Sequence, residues 1–491
     1  MSVPPLSTST TESWKLDNTS PLPLHTQIST YFLGKIRSGA WPAGMRLAPQ
    51  RELARQFGVN RSTIVTALGQ LTALGLIEGK RGGGTIVVIP KSVDSRSQAG
   101  NWNDYVEEGV HYPNLPTIQA INRLEYERGL IRLGTGELAP ELLPSAMMQS
   151  ILADLSQQTH LPLSYEEPLG SLQLRTAISH QLSKIGISAT PASILITSGS
   201  LQGLQLIALG LLPRGSTILL EKPSYLYSIH SFQSAGVKFS GLPMDERGVL
   251  TESITPEVQQ TAAAMLYSIP TFHNPTGILM DARRRQELMA VTSSLGLPIL
   301  EDAAYQELWL DNPPPLPLKA LDNEGRVLYL GTLSKSASPG LRIGWVVGPE
   351  PVVRRLADIK MQSDYGASSL SQLTAAKWLE SGYHELHCNS LRQELRKRRT
   401  VVLDILHAYF TDLASWNHPA GGFYIWLSLH KPLPLPQLFK KALQAGLLLN
   451  TGDLYDRRDG RHLRLSYAYA PLSELEAGLI TLSAVLKEQI K

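Results

Sequence analysis

Short apolar runs alternate with helical patterns along the last two thirds of this 491-residue chain. Runs of this length, bounded by small and polar residues, are typical of buried β-strands. Their alternation with helices predicts an α/β domain with a mainly parallel sheet, in which ligands lie beyond the carboxyl ends of the strands. The predicted strands are residues 194–197, 217–221, 265–268, 299–301, 327–330 and 343–347.

Small or polar residues follow these predicted strand ends. The turn at Gly199 and Ser200 opens a helix, whose free backbone N–H groups can bind a phosphate. A ligand site is therefore predicted at this edge of the sheet. The other residues that follow strand ends are Tyr225, Asn274, Asp302, Tyr305, Ser334 and Lys335.

Lys335 follows the strand predicted at 327–330, and Arg342 lies seven positions further on. A lysine at a strand end, screened from water and near a second cation, gives up its proton readily and can form a Schiff base with an aldehyde. Thr332, Ser334 and Arg342 can hold a phosphate. Pyridoxal phosphate (PLP) is both an aldehyde and a phosphate ester, so this stretch predicts a PLP site. Taken alone, a Ser-Lys pair of this kind is more often a solvated surface feature.

A pyridine ring that acts as an electron sink needs a carboxylate at its nitrogen, a donor at its phenolic oxygen and an aromatic face. Asp302 supplies the carboxylate, Asn274 with Tyr305 the donors, and Tyr225 the aromatic face. Each residue also has an ordinary structural explanation, such as a helix cap, a plain turn, a core aromatic or, for Arg342, a surface ion pair. Their joint placement after predicted strands favours the cofactor.

Basic residues concentrate in the first ninety positions, which hold nine Lys and Arg against four Asp and Glu. Helical patterns begin at Pro23, at residues 50–57 and after Asn60, and the tight turn at 58–60 makes the last two a helix-turn-helix. Two strands with a basic tip at 79–84 follow as a wing. A solvated helix face or a protein-docking module is the alternative, but the basic excess favours DNA.

Three motifs of this segment, RLAPQRELA at 46–54, GVNRST at 58–63 and GLI at 75–77, resemble the GntR-type winged helix-turn-helix. Two positions depart from the family pattern: Ala48-Pro49 stands where Pro-Ser is usual, and Val65 occupies a position that is basic in some relatives. The resemblance implies DNA contacts by Arg51, Arg61, Ser62 and Thr63, with Lys80 and Arg81 in the wing.

From about residue 131 onward, the chain resembles the fold-type I, class I/II aminotransferases, on Asn274-Pro-Thr-Gly, Asp302-x-x-Tyr305, and Ser334-Lys335 followed by Arg342. The resemblance implies that Lys335 is the Schiff-base lysine and that Arg464 binds a substrate or effector carboxylate, although a buried structural ion pair is the alternative for Arg464. It further implies that Tyr165 reaches the phosphate of a neighbouring subunit, and therefore a homodimer. The implied PLP ligands are Gly199, Ser200, Tyr225, Asn274, Asp302, Tyr305, Ser334 and Arg342.

The whole arrangement resembles the MocR-type transcriptional regulators. It implies a tail at 1–20, an α+β winged helix-turn-helix at 21–90, a linker at 91–127 and an α/β aminotransferase-like body at 128–491, with a small α+β subdomain from about 372. The implied function is a dimeric regulator that binds operator DNA and senses PLP or an amino-acid effector through an aldimine at Lys335.

Two alternatives remain at this point: a working aminotransferase that carries a DNA-binding module, and a DNA-binding dimer with an inert body. The single cysteine, Cys388, indicates a reducing compartment. The polar residues 1–20 and the lack of a long apolar span predict no signal peptide and no membrane partner. We therefore expect a cytoplasmic protein, with no metal site.

Overall fold

The computed structural model describes residues 23–88 with gaps at 38–39, 42–43, 74–75 and 81–83, residues 113–490 with a gap at 159–160, and the isolated positions 14, 16, 17 and 102. Packing divides the chain into two units, Met1–Gly109 and Val110–Lys491. Within the described residues, every helix is too short or too polar to serve as a membrane span.

The N-terminal unit contains a three-helix core with a two-stranded antiparallel hairpin. Ile28, Phe32, Ile64 and Leu71 are fully buried and hold the helices together. This architecture confirms the predicted winged helix-turn-helix. Its elements are α1 (Leu24–Arg37), α2 (Gln50–Phe57), α3 (Arg61–Ala73), β1 (Ile77–Lys80) and β2 (Gly84–Val87).

Local sequence explains the turn between α2 and α3. Pro49 directly precedes α2, where its missing N–H costs no helical hydrogen bond. Gly58 ends α2 in a left-handed conformation, φ 63°, that glycine adopts without strain. Asn60 then accepts a hydrogen bond at Oδ1 from the backbone N–H of Ser62 at 3.3 Å, which caps α3.

The second unit is an α/β body with a smaller antiparallel sheet. Its strands are β3 (Ile131–Arg132), β4 (Ile194–Thr197), β5 (Thr217–Glu221), β6 (Lys238–Leu242), β7 (Met244–Asp245), β8 (Gly248–Val249), β9 (Met265–Ser268), β10 (Ile299–Asp302), β11 (Val327–Thr332), β12 (Gly344–Val347), β13 (Ala414–Trp416), β14 (Tyr424–Leu429), β15 (Leu447–Leu448), β16 (Asn450–Thr451) and β17 (His462–Ser466). Its helices are α4 (Pro116–Leu124), α5 (Ser145–Ser156), α6 (Leu172–Lys184), α7 (Ser200–Gly210), α8 (Ser231–Ser234), α9 (Ile254–Thr261), α10 (Ala282–Ser294), α11 (Glu350–Ser363), α12 (Ser369–Glu380), α13 (Tyr383–Tyr409), α14 (Leu435–Gln444) and α15 (Leu472–Ile490).

Seven strands form the large sheet in the order β4-β12-β11-β10-β9-β5-β6. All of them run in one direction except β12, which is antiparallel to both neighbours. The sheet is therefore mainly parallel, as predicted, and β12 is reversed because the chain returns from β11 without a crossover helix. All six residues of β11 are buried, since helices cover both faces of the sheet.

The smaller sheet has the order β13-β14-β17-β16 and packs with α13, α14 and α15 around one apolar core. The arginine-rich stretch of α13 contains two buried arginines. Arg398 is buried and pairs with Glu141 at 2.9 Å, and Arg399 is buried and pairs with Asp311 at 2.7 Å. These arginines therefore bind α13 to the rest of the body.

Candidate functional site

The strand ends bring the predicted site residues to one edge of the large sheet. Gly199 follows β4, Tyr225 follows β5, Asn274 follows β9, Asp302 ends β10 and Lys335 follows β11. These five strands are mutually parallel, so their carboxyl ends lie at the same edge. The geometry at that edge decides what the site can bind.

Lys335 lies half-buried in the turn after β11, and its Nζ donates to the carbonyl oxygen of Gly136 at 2.7 Å. Thr332 shapes this turn because its Oγ1 accepts from the backbone N–H of Ser334 at 3.1 Å and contacts the Ser334 hydroxyl at 3.0 Å. Gly136 itself leaves no room for a side chain, since a Cβ there would collide with the hydroxyl of Tyr424. The lysine amine is thus held at a tightly packed backbone segment.

Asp302 is a buried carboxylate beside this lysine. Its Oδ2 accepts from the hydroxyl of Tyr267 at 2.8 Å, and its Oδ1 accepts from the backbone N–H of Ala304 at 3.2 Å. Burial raises the pKa of Asp302 to about 6, although the Tyr267 hydrogen bond and the charge of Lys335 both act to lower it. A cation placed against Asp302 would compensate the cost of burying its negative charge.

The start of α7 forms a cradle with Arg342. Gly199 has φ 84°, and a Cβ on it would collide with the Arg342 guanidinium, whose Nη2 donates to the carbonyl oxygen of Ser198 at 3.0 Å. Helix α7 begins at Ser200, and among the described residues no side-chain cap bonds to its first turn. Backbone N–H groups at the start of a helix, next to a guanidinium, are suited to a phosphate.

Arg464 is buried at the centre of a polar and aromatic cluster. It donates from Nη1 to Oδ1 of Asn274 at 2.9 Å and from Nη2 to the carbonyl oxygen of Gly134 at 2.7 Å. Its guanidinium lies over the ring of Tyr424 at 4.1 Å and the ring of Tyr455 at 5.0 Å. Its Nε is buried without a hydrogen-bond partner in the described part of the chain. This guanidinium therefore has donor capacity left for a ligand.

Tyr305 pairs with Tyr424 rather than with Asn274, because the two tyrosine hydroxyls lie 2.9 Å apart. Tyr225 stands nearby, and burial, followed by the charge of Asp302, raises its pKa. Its hydroxyl consequently stays protonated and can donate a hydrogen bond.

A cavity of about 500 Å³ opens beside these residues. Tyr225, Tyr455 and Arg464 line one part of it, and Glu125 and His230 line others. This volume falls in the range of sites for small organic ligands. The arrangement can therefore hold a ligand that reaches both the arginine and the strand ends.

Tyr165 is not part of this cluster within one chain. Its side chain is 81% exposed and packs edge-on against exposed Tyr365, with ring centroids 4.8 Å apart. Several residues that do build the site were not predicted, among them Tyr267, Tyr455 and the segment 134–136. The two glycines of that segment were the one available signal.

In the N-terminal unit, Arg51, Arg61 and Ser62 are exposed and Thr63 is half-buried. Arg61 donates from Nη2 to Oε1 of Gln50 at 3.3 Å, which connects the first residues of α2 and α3. The side chain of Lys80 and the whole of Arg81 lie outside the described residues, so the wing contacts remain predictions.

Comparison with protein families gives two matches. The profile of the class I and II aminotransferases matches residues 128–479, and the profile of the bacterial regulatory proteins of the gntR family matches residues 24–87. YdfD of Bacillus subtilis (strain 168), an uncharacterized HTH-type transcriptional regulator, is 48% identical over 95% of this chain and 97% of its own. The HTH-type transcriptional regulator NorG of Staphylococcus aureus (strain N315) is 29% identical over 90% of this chain and 100% of its own.

Solved structures resemble the aminotransferase-like part. The kynurenine aminotransferase of Pyrococcus horikoshii, in complex with PMP, has a TM-score of 0.72 and 28% identity, and the match covers 82% of this chain and 97% of that one. LysN, an α-aminoadipate aminotransferase of Thermus thermophilus complexed with N-(5'-phosphopyridoxyl)-L-leucine, has a TM-score of 0.70 and 29% identity, with 77% and 95% covered.

Proposed function

The chain belongs to the class I and II aminotransferase family, in the MocR-type group that carries a GntR-type module. On that premise we propose a dimeric DNA-binding regulator whose aminotransferase-like domain senses PLP, an amino-acid effector or both. The observation that carries the proposal is the half-buried amine of Lys335 beside the buried carboxylate of Asp302. A regulator of transcription acts where the chromosome lies, so we place the protein in the cytoplasm.

The donor set fits PLP. When bound, this cofactor supplies an aldehyde that condenses with amines and a pyridine ring that withdraws electrons. Among the described residues, the buried carboxylate of Asp302 has no ion-pair partner. It would therefore pair with the protonated ring nitrogen and keep the proton there. The cradle of Gly199 and Arg342, which a Cβ would fill, would hold the phosphate, together with Ser200 and Ser334.

The hydrogen bond from Arg464 supports a role for the amide of Asn274. Because Arg464 donates to Oδ1 of Asn274, the amide nitrogen of Asn274 is left to donate toward the phenolic oxygen of the cofactor. Tyr305, whose hydroxyl pairs with that of Tyr424, would be a second donor to the phenolic oxygen. Tyr225 would face the ring. The proposed cofactor contacts thus form one connected set.

Arg464 would bind the carboxylate of the effector. A guanidinium is charged at every physiological pH and matches a carboxylate with two parallel donors. Its unpartnered Nε and the adjoining cavity support this role. A ligand held in this way can change DNA affinity only if it binds two arrangements of the protein unequally.

The test measures DNA binding directly. Fluorescence anisotropy with DNA from the region upstream of the gene would give the Kd of the cofactor-free protein, of the PLP-loaded protein and of the loaded protein with each common amino acid. We expect PLP, alone or with at least one amino acid, to change the Kd by tenfold or more. Lys335→Ala should abolish both that change and the visible absorption band of the loaded protein.

Lys440→Ala is the matched control, because Lys440 is an exposed lysine on α14. It should behave as the parent in both measurements. A Kd that stays constant across all conditions would overturn sensing. A colourless protein that takes up no PLP would overturn the cofactor assignment and leave a DNA-binding dimer with an inert body.

Turnover is a second candidate, favoured by a cavity that Tyr225 and Arg464 line, together with the lysine and the aspartate at the strand ends. A single-turnover experiment separates it from sensing alone. If an added amino acid is converted to its keto acid at a rate of about 1 s⁻¹ or faster, as is common for enzymes, the protein is a working aminotransferase. Binding without keto-acid release would identify a sensor.

A further inference from the structure

Glu125 places a carboxylate in the wall of the cavity. It directly follows α4, and the same helix contributes Ile118 and Ile121 to the cavity lining. The Oε1 of Glu125 accepts from the hydroxyl of Thr135 at 3.0 Å. Thr135 lies between Gly134 and Gly136, whose carbonyl oxygens accept from Arg464 and Lys335. Glu125 is therefore close to the region where an effector would bind.

This carboxylate has no ion-pair partner among the residues that the structure describes. The neighbouring cations are engaged elsewhere: Arg132 donates to the hydroxyl of Tyr469 at 2.6 Å and lies over its ring. Arg464 donates to Asn274 and to backbone. Burial raises the pKa of Glu125 above its usual value, and the hydrogen bond from Thr135 opposes that rise. A partly desolvated, unpaired carboxylate is stabilised by any cation that reaches it.

The rest of the cavity suits an aliphatic chain that ends in such a cation. Ile118, Ile121 and Leu454 provide apolar surface between the polar groups. His230 lies on another wall, and burial, followed by the charge of Arg457, lowers its pKa. His230 is consequently neutral at pH 7 and does not repel a cationic ligand.

We propose that the effector is an amino acid with a cationic side chain, whose carboxylate binds Arg464 and whose side-chain ammonium pairs with Glu125. Ornithine and lysine represent this chemical class. The inference rests on the proposed function, since it names the ligand of the same site. The competing explanation is that Glu125 only fixes the end of α4 to Thr135.

Binding of four amino acids to the PLP-loaded protein tests the proposal. The Kd values of ornithine, lysine, norleucine and glutamate are measured by calorimetry and by the change in cofactor absorbance. Norleucine is the informative comparison because it has the chain length of lysine without the charge. We expect ornithine or lysine to bind at least tenfold more tightly than norleucine. Glu125→Gln should reduce that preference to below threefold and leave norleucine unchanged.

Glu127→Gln is the matched control, since Glu127 is an exposed glutamate two positions away. Glu125→Lys should reverse the preference toward glutamate. Equal binding of lysine and norleucine by the parent would overturn the proposal, as would an equal loss for all four ligands in Glu125→Gln, which is the result of a structural role. If none of the four amino acids binds or changes the absorbance while PLP still changes the Kd for DNA, this inference fails and the proposed function stands.

Discussion

Arg464 donates from Nη1 to Oδ1 of Asn274 at 2.9 Å, which joins two residues 190 positions apart in the chain. One belongs to β17 and the other follows β9, so the hydrogen bond connects the small antiparallel sheet with the large one. In our proposal, an effector carboxylate binds the same guanidinium that holds Asn274. Binding of an effector at Arg464 would therefore affect Asn274, a residue that we assign to the cofactor.

We expect Arg464→Lys to weaken binding of amino acids to the PLP-loaded protein by tenfold or more. A lysine keeps the charge but loses the bidentate hydrogen bonding to a carboxylate and the stacking on Tyr424 and Tyr455. Amines that lack the carboxylate, such as butylamine, should bind the variant and the parent equally. Titration followed by cofactor absorbance measures both. Equal losses for amines and amino acids would show that the variant damages the site in general.

The burial of Asp302 should make the stability of the cofactor-free protein depend on pH. Its folded pKa of about 6 exceeds the ordinary 3.8, so the folded state retains a proton that the unfolded state has released within that window. Stability from this group is therefore present at low pH and is lost as pH rises through 6. At pH 7 the ionised carboxylate costs about 3 kcal/mol.

Asp302→Asn removes this cost and keeps an acceptor for the Tyr267 hydroxyl. In urea denaturation of the cofactor-free protein, the variant should be more stable than the parent at pH 7, and the difference should vanish near pH 4. The same variant should bind PLP more weakly. A variant that is less stable than the parent at every pH would contradict this account.

Tyr165→Phe should raise the Kd for PLP about tenfold without changing the thermal stability of the cofactor-free protein, because Tyr165 is exposed and we expect its hydroxyl to reach the phosphate of a partner subunit. Tyr365→Phe is the control, since Tyr365 is the exposed tyrosine against which it packs. Equilibrium dialysis against PLP measures both variants. Equal affinities for both variants and the parent would remove Tyr165 from the phosphate site.

Mixed dimers show whether Tyr165 contributes to the PLP site of its own subunit or to that of the neighbouring subunit. A dimer of one Tyr165→Phe subunit and one Lys335→Ala subunit retains one complete site only if the tyrosine comes from across the interface. It should bind one PLP at parental affinity. A dimer that pairs an unchanged subunit with the double variant should bind one PLP tenfold more weakly.

The DNA module yields a prediction on salt dependence. Arg51→Ala and Arg61→Ala should each lower operator affinity, because both side chains are exposed on the helix-turn-helix. For an arginine that contacts phosphate, the slope of log K against log salt should fall by about 1. Arg355→Ala, an exposed arginine paired with Asp358 on α11 outside the module, should change neither quantity. Unchanged slopes in both module variants would exclude phosphate contacts at these positions.

Periodicity and apolar runs predicted most of the large sheet. The bounds of β4, β5 and β9 agree with the observed strands residue for residue. Strand β11 continues through Thr332 because Gly331 and Thr332 pair with β12, a partner that no local pattern reveals. Strand β6 was missed since its sequence, KFSGL, lacks an apolar run and lies at the edge of the sheet.

The site was predictable where chemistry follows a strand in sequence. Lys335 and Asp302 could be found in this way, whereas the groups around them come from distant parts of the chain. The oxygen that accepts from Lys335 belongs to Gly136, 199 positions away, and the hydroxyl that pairs with Tyr305 belongs to Tyr424, 119 positions away. Contacts of this kind depend on packing of the two sheets and leave no local signature.

Helix α4 starts at Pro116, a few residues after the N-terminal unit ends at Gly109. Because α4 supplies Ile118 and Ile121 to the cavity wall, a molecule that fills the cavity packs against the first helix of the second unit. We therefore propose that an effector acts on the protein first through the position of this nine-residue helix.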